Sequence, residues 1–189
     1  MGEVYKKDKS QPLEKLVSDF VGKYNLHLTN NSDIVSLCKD LGFSVSSYPT
    51  KQEGYDGFIL VNNTFKVIGI DDNLSPIDRR FLIAHELGHY IKADSKHEEV
   101  LLALKDNLNH GDDKSQEEHD ADYLAAAILV PMSQFKYELE LLEIEYKNLN
   151  SELEVKSKIP AVIISFFAKR YRVNEQLIAR RIAEVSTYA

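Results

Sequence analysis

Apolar positions along the chain switch between a helical and a strand period, and those switches divide it into elements. Leu13, Leu16, Val17 and Phe20 recur at helical spacing, which predicts a helix from Pro12 to about Tyr24 after a polar, frayed start. Ile34, Leu37, Cys38 and Leu41 predict a second, short helix, with cap candidates among residues 30–33 and Gly42 at its C-terminal end. Residues 43–48 alternate as a strand. Runs 57–61 and 65–70 are rich in β-formers and flank Asn62-Asn63-Thr64, a hairpin pattern. Ser75-Pro76-Ile77-Asp78 then opens a helix that carries Phe81, Ala84, Leu87, Gly88 and Ile91 toward a core. Ser75 is its N-cap and Pro76 its first residue. Beyond Lys92 the chain turns polar up to Glu117, a stretch suited to a substrate-facing lid, interrupted by the apolar run 100–104, a helix or strand over the cleft.

Residues 117–129 read as a helix with an acidic first turn, ended by Val130-Pro131. Met132, Phe135, Leu139, Leu142, Tyr146, Leu149 and Leu153 follow at alternating three- and four-residue steps, a heptad stripe. Its simplest reading is one long helix, or a bent pair, laid against its own domain; the sharper one is a homodimer or partner contact through residues 132–153. After Pro160, residues 161–171 and 174–185 predict two helices joined by Arg172-Val173, with Asn174 as N-cap.

Composition narrows the classes. At 189 residues the chain can build one full core, or a core plus a small appended unit. Its net charge of −7 does not favour nucleic acid. The last two helices do carry Lys169, Arg170, Arg172, Arg180 and Arg181, but no recognition side chains can be named, so direct DNA binding is not expected. Cys38, the one cysteine, falls on an apolar face and reads as core, and no internal disulfide can form. The N-terminus lacks a signal-peptide pattern and no run is long enough to span a membrane, so a cytoplasmic protein is expected.

One stretch carries chemistry. His85-Glu86-Leu87-Gly88-His89 on a helix puts two imidazoles on one face, about a turn apart, as two ligands of one zinc ion require. Glu86 between them is placed to take a proton from water, the general-base role in zinc-dependent peptide hydrolysis. A third ligand is still needed, and the acidic start of the 117–129 helix is where it can come from. Glu118 and Asp122 share a face with the small Ala121 and Ala125, which would let the two helices approach closely, whereas Asp120 turns away. Glu118 is therefore the expected ligand and Asp122 the acceptor for a ligand histidine's N–H, with His119 the runner-up ligand. Tyr90 and Tyr123 are near in sequence and are candidates for an oxyanion contact.

Residues 80–89 together with Glu118-His119-Asp120-Ala121-Asp122-Tyr123-Leu124-Ala125-Ala126-Ala127-Ile128-Leu129-Val130-Pro131 resemble the ImmA/IrrE family of zinc metallopeptidases. Residues 56–60, the strand through Ile70 and, more weakly, the 168–174 turn are also similar to that family. The resemblance implies an α+β, zincin-like and mostly helical domain with a small antiparallel sheet before the metal-site helix. A metallopeptidase domain over 1–131 and a C-terminal helical region over 132–189, with a helix–turn–helix-like tail, follow from it. It implies Zn²⁺ held by His85, His89 and Glu118, with Glu86 as base. It further implies a helix–turn–helix repressor as substrate, whose cleavage induces a mobile element, a prophage or a stress response. The alternative is a non-cleaving antirepressor that binds a repressor through the same surface. The stretch 136–157 is longer than the family pattern leads one to expect.

Overall fold

The computed structural model describes residues 7–30, 32–49, 54–96, 102–106, 115–149 and 161–187. The chain runs α1 (Lys7–Lys23), α2 (Ile34–Asp40), β1 (Ser44–Tyr48), β2 (Gly57–Val61), β3 (Lys66–Asp71), α3 (Pro76–Asp94), β4 (Leu102–Asp106), α4 (Gln116–Leu129), α5 (Met132–Leu149), α6 (Ala161–Tyr171) and α7 (Glu175–Thr187). The fold is α+β. No helix among the described residues is long and apolar enough to cross a membrane.

The sheet has the order β1-β3-β2-β4. Its β2–β3 hairpin is antiparallel, and the turn closes on Asn62, whose side-chain oxygen accepts from the backbone N–H groups of Thr64 and Phe65. The expectation of an antiparallel sheet preceding the metal-site helix needs two corrections. β1 pairs with β3 in parallel, which makes the sheet mixed, because α2, Gly42 and Phe43 deliver β1 to the far side of the hairpin rather than beside β2. β4, which takes in the last three residues of the 100–104 run, follows α3 and adds antiparallel to β2 as an edge strand; residues 100 and 101 lie outside the described residues. The first helix also begins earlier than expected, at Lys7, so Pro12 lies inside it. A proline there removes one backbone bond close to the helix start, where it is tolerated better than in a helix centre.

Local signals fix the ends of the elements that matter. Asp33 caps α2 by accepting from Val35 N–H, and Gly42 follows that helix at φ +85°. Ser75 caps α3: its hydroxyl accepts from Asp78 N–H and donates to the Asp78 carboxylate, a reciprocal pair that sets the entry angle of this helix. Ser115 caps α4 through Glu118 N–H. Asn174 accepts from Leu177 N–H at the start of α7.

A single apolar core joins these pieces. It takes Leu13, Val17 and Phe20 from α1, Ile59 and Ile68 from the sheet, and most of α3 and α4. The C-terminal helices pack on the same core. Phe135 of α5 meets Phe167 and Tyr171 of α6 edge to face, at 5.0 and 5.8 Å between ring centroids. Leu139 is buried with Phe135, so the heptad stripe faces inward over its described half; Tyr146, Leu149 and Leu153 lie outside the side chains the structure describes. Arg181 of α7 is fully buried and donates to the Val130 carbonyl at the end of α4, to Glu14 of α1 and to Glu184. Of the tail's other basic residues, Arg170 is held by Glu138 and Arg180 pairs with Glu184. Cys38 is fully buried, and burial beside the Asp33 charge pushes its thiol up to about 12.

Candidate metal centre

Helix α3, which carries His85 and His89, and the acidic helix α4 lie against each other, and one contact decides how closely. Gly88 faces Ala121. A Cβ added at Gly88 would stand 2.9 Å from the Ala121 carbonyl oxygen and 3.2 Å from both Ala121 Cα and Leu124 Cβ. Glycine against alanine therefore permits backbone-to-backbone packing that any larger pair would block. A second tie, between Lys92 of α3 and Asp120 of α4 at 2.7 Å, holds the start of α4, with Gln116 donating to the same carboxylate.

That approach brings three donors together. Among the described residues, His85, His89 and Glu118 form a group whose ligand atoms all lie within 4.8 Å of one another. His85 Nε2 is 3.2 Å from His89 Nε2 and 3.2 Å from Glu118 Oε2, and His89 Nε2 is 3.5 Å from Glu118 Oε1. Zinc bonds to nitrogen and carboxylate oxygen are about 2.0–2.1 Å, so the edge of a tetrahedral ligand set is about 3.3–3.4 Å. The His85–His89 and His85–Glu118 spacings are close to that edge, and the three residues can hold one ion with a position left for water or substrate. His119, although adjacent to Glu118, is not in the group.

The surrounding charge also suits a cation. Asp122 Oδ1 sits 2.9 Å from His85 Nδ1, the hydrogen bond that fixes the tautomer and leaves Nε2 free to bind metal. Glu86, fully buried, adds another carboxylate on the same helix. Burial alone would push the His85 imidazolium down. Hydrogen bonds to Asp122 and Glu118, and the charges of Asp122 and Glu86, outweigh it and raise the pKa to about 10. The negative charge in this pocket is thus enough to hold a proton on a buried imidazole; a divalent cation would take that proton's place.

The sheet roofs Glu86. A Cβ added to Gly57, the first residue of β2, would stand 2.7 Å from Leu82 Cδ2 and 3.1 Å from Glu86 Oε1. The absence of a side chain at that position lets β2 pass directly over the carboxylate. The close approach expected at Ala121 is met by Gly88 on α3, a partner the sequence did not name, and the role of Gly57 was not foreseen. A signal existed for the first: a glycine inside the motif and small residues on the facing helix. Tyr90 and Tyr123 are buried and engaged elsewhere, the first accepting from Lys66 at 2.8 Å and the second donating to Glu14 at 3.1 Å.

Residues 38–183 match the model of a peptidase family described as the IrrE N-terminal-like domain. The chain belongs to that family. The IrrE-like match takes in the sheet, α3, α4 and the C-terminal helices, and the α+β fold with a helix-borne ligand pair is zincin-like. No curated protein matches this chain. Among solved structures, a Mycobacterium tuberculosis transcriptional regulator is similar over 95% of this chain, with a TM-score of 0.59 and 17% sequence identity. The match covers 48% of that protein, so the chain spans about half the length of the structure it resembles. At that identity the likeness speaks to the fold alone.

Proposed function

We propose that this IrrE-like protein is a zinc-dependent endopeptidase, acting in the cytoplasm, that cleaves and inactivates a helix–turn–helix repressor and so induces a mobile element, a prophage or a stress response. The observation that carries the reading is the convergence of His85, His89 and Glu118, with ligand atoms within 4.8 Å of one another and Glu86 next to the first of them in sequence. When bound, zinc would supply Lewis-acid activation of water and of the scissile carbonyl. The protein's own part begins with orientation: Asp122 holds the His85 ring through Nδ1, so Nε2 faces the site. Glu86, beneath β2 and shielded from solvent, takes a proton from the attacking water on a carboxylate oxygen and returns it to the leaving nitrogen. The outer edge of β4 has no strand partner among the described residues and offers an extended peptide a line of backbone donors and acceptors.

The decisive experiment co-expresses the chain, or its Glu86→Gln variant, with the repressor encoded beside it. The proposal expects a discrete cleavage product with the wild type and none with Glu86→Gln, while the variant still binds zinc. Cleavage by Glu86→Gln would sink the assignment of the base. Derepression that survives Glu86→Gln with the repressor intact would establish instead the binding antirepressor.

A further inference from the structure

Helix α5 is apolar on two opposite faces, and the core uses one of them. Phe135 and Leu139 are buried and Leu142 packs partly against the core, whereas Tyr137, Leu141 and Ile144 are 63%, 45% and 56% exposed. At about 100° per residue the exposed three fall within about 60° of one another, on the side away from the buried set. Their spacing of four and then three residues is that of a coiled-coil seam. A lone exposed leucine needs no explanation, but three aligned apolar side chains on one exposed stripe of a helix form a contact surface.

Charge selects the occupant. Glu140 borders the stripe on one side and Glu145 on the other, and both are exposed. Glu138, further along the second flank, is already held by Arg170. In a parallel pair of α5 helices Glu140 of one copy would face Glu145 of the other, a like-charge contact that disfavours self-association in that orientation. A helix with lysine or arginine at those flanking positions would meet carboxylates instead. We propose that the outer face of α5 is a docking surface for a basic amphipathic helix of another protein. The stripe leaves from the end of α4 opposite Glu118, about 16 Å along that helix at 1.5 Å per residue. Its residues are none of those in the His85–His89–Glu118 group, so the proposal does not depend on the chemistry assigned there.

The test uses a synthetic helical peptide of about three heptads, leucine at the seam and lysine on both flanks, with one tryptophan as reporter. The chain itself has no tryptophan, so the peptide's fluorescence reports binding without background. Saturable binding is expected, weakened about tenfold or more by Leu141→Asp together with Ile144→Asp, in a variant whose circular dichroism is unchanged. Glu140→Lys with Glu145→Lys is expected to lose the lysine-flanked peptide and to gain a glutamate-flanked one. The proposal is overturned if the wild type does not bind, if the seam and charge variants bind as the wild type does, or if analytical ultracentrifugation finds a wild-type dimer that Leu141→Asp dissociates.

Discussion

Replacing Gly88 by alanine tests whether the spacing of two helices, rather than the donor residues alone, makes the metal site. The added methyl would lie 2.9 Å from the Ala121 carbonyl oxygen and 3.2 Å from Ala121 Cα, backbone atoms that cannot swing aside. Ordinary carbon contacts begin near 3.5 Å, so α4 must retreat by about half an ångström. Overpacking of this kind costs about 1–3 kcal/mol, and the better helix propensity of alanine returns about 1 kcal/mol. The melting temperature should therefore fall only slightly. The site has less latitude, because metal–ligand distances hold to about 0.2 Å and Glu118 rides on the helix that moves. Zinc affinity, measured by competition with a chromophoric chelator, is expected to drop about 10- to 100-fold, comparable to losing a partner that orients a ligand. Gly22→Ala supplies the control: nothing lies within 4 Å of its added carbon, so it should stabilise α1 slightly and leave zinc binding untouched. A Gly88→Ala protein that binds zinc like the wild type would show that the spacing of α3 and α4 does not set the site's affinity.

Asp122→Asn keeps the side chain's shape but removes its charge; zinc affinity should fall about 10- to 100-fold, and in the metal-free protein His85, raised to about 10 with Asp122 present, should titrate lower by NMR. Arg181→Leu leaves Glu14 and Glu184 without their shared cation and takes two donors from the Val130 carbonyl, a loss of about 3–5 kcal/mol that urea titration will read as a lower midpoint. The bidentate bond from Arg170, with help from Gln134 and Tyr171, holds Glu138 below its ordinary value of 4.5. Its stabilising effect is thus present above that value and lost as pH falls through the lower folded one, so Glu138→Gln should lose less stability on acidification than the wild type.

The parts of the fold that local chemistry dictates were legible in the sequence. Ser75-Pro76 marked the start of α3, Asn62-Asn63-Thr64 the hairpin, and the inward face of α4 followed from Ala121 and Ala125. The histidine pair and its intervening glutamate needed only the helical period. What escaped notice depends on where distant segments meet. Nothing in residues 44–48 says that they pair with β3 in parallel, since pairing partners are chosen by the connection through α2 and not by the strand's own pattern. The edge strand β4 was equally ambiguous, because a five-residue apolar run carries no period long enough to separate strand from helix. Gly57 went unremarked for the same reason: its meaning lies in Glu86, in a helix that follows it by a whole hairpin. On α5 the heptad pattern pointed to the buried stripe, and the second stripe, Tyr137, Leu141 and Ile144, was visible only once the first was known to be occupied.

Helix α4 links these observations. Its first turns carry Glu118 and Asp122 to the histidines, and its end presents the Val130 carbonyl to the buried Arg181 of α7. Between them Tyr123 donates to Glu14, the same α1 carboxylate that Arg181 uses. The ligand-bearing helix is therefore fixed at one end by Gly88 and Lys92 of α3 and at the other by the first and last helices of the chain. A packed helix transmits displacement at one end to the other because its interior has no slack. Loosening Arg181 is therefore expected to widen the spread of Glu118 positions: Arg181→Leu should weaken zinc binding in the chelator-competition assay at temperatures where circular dichroism shows the protein still folded.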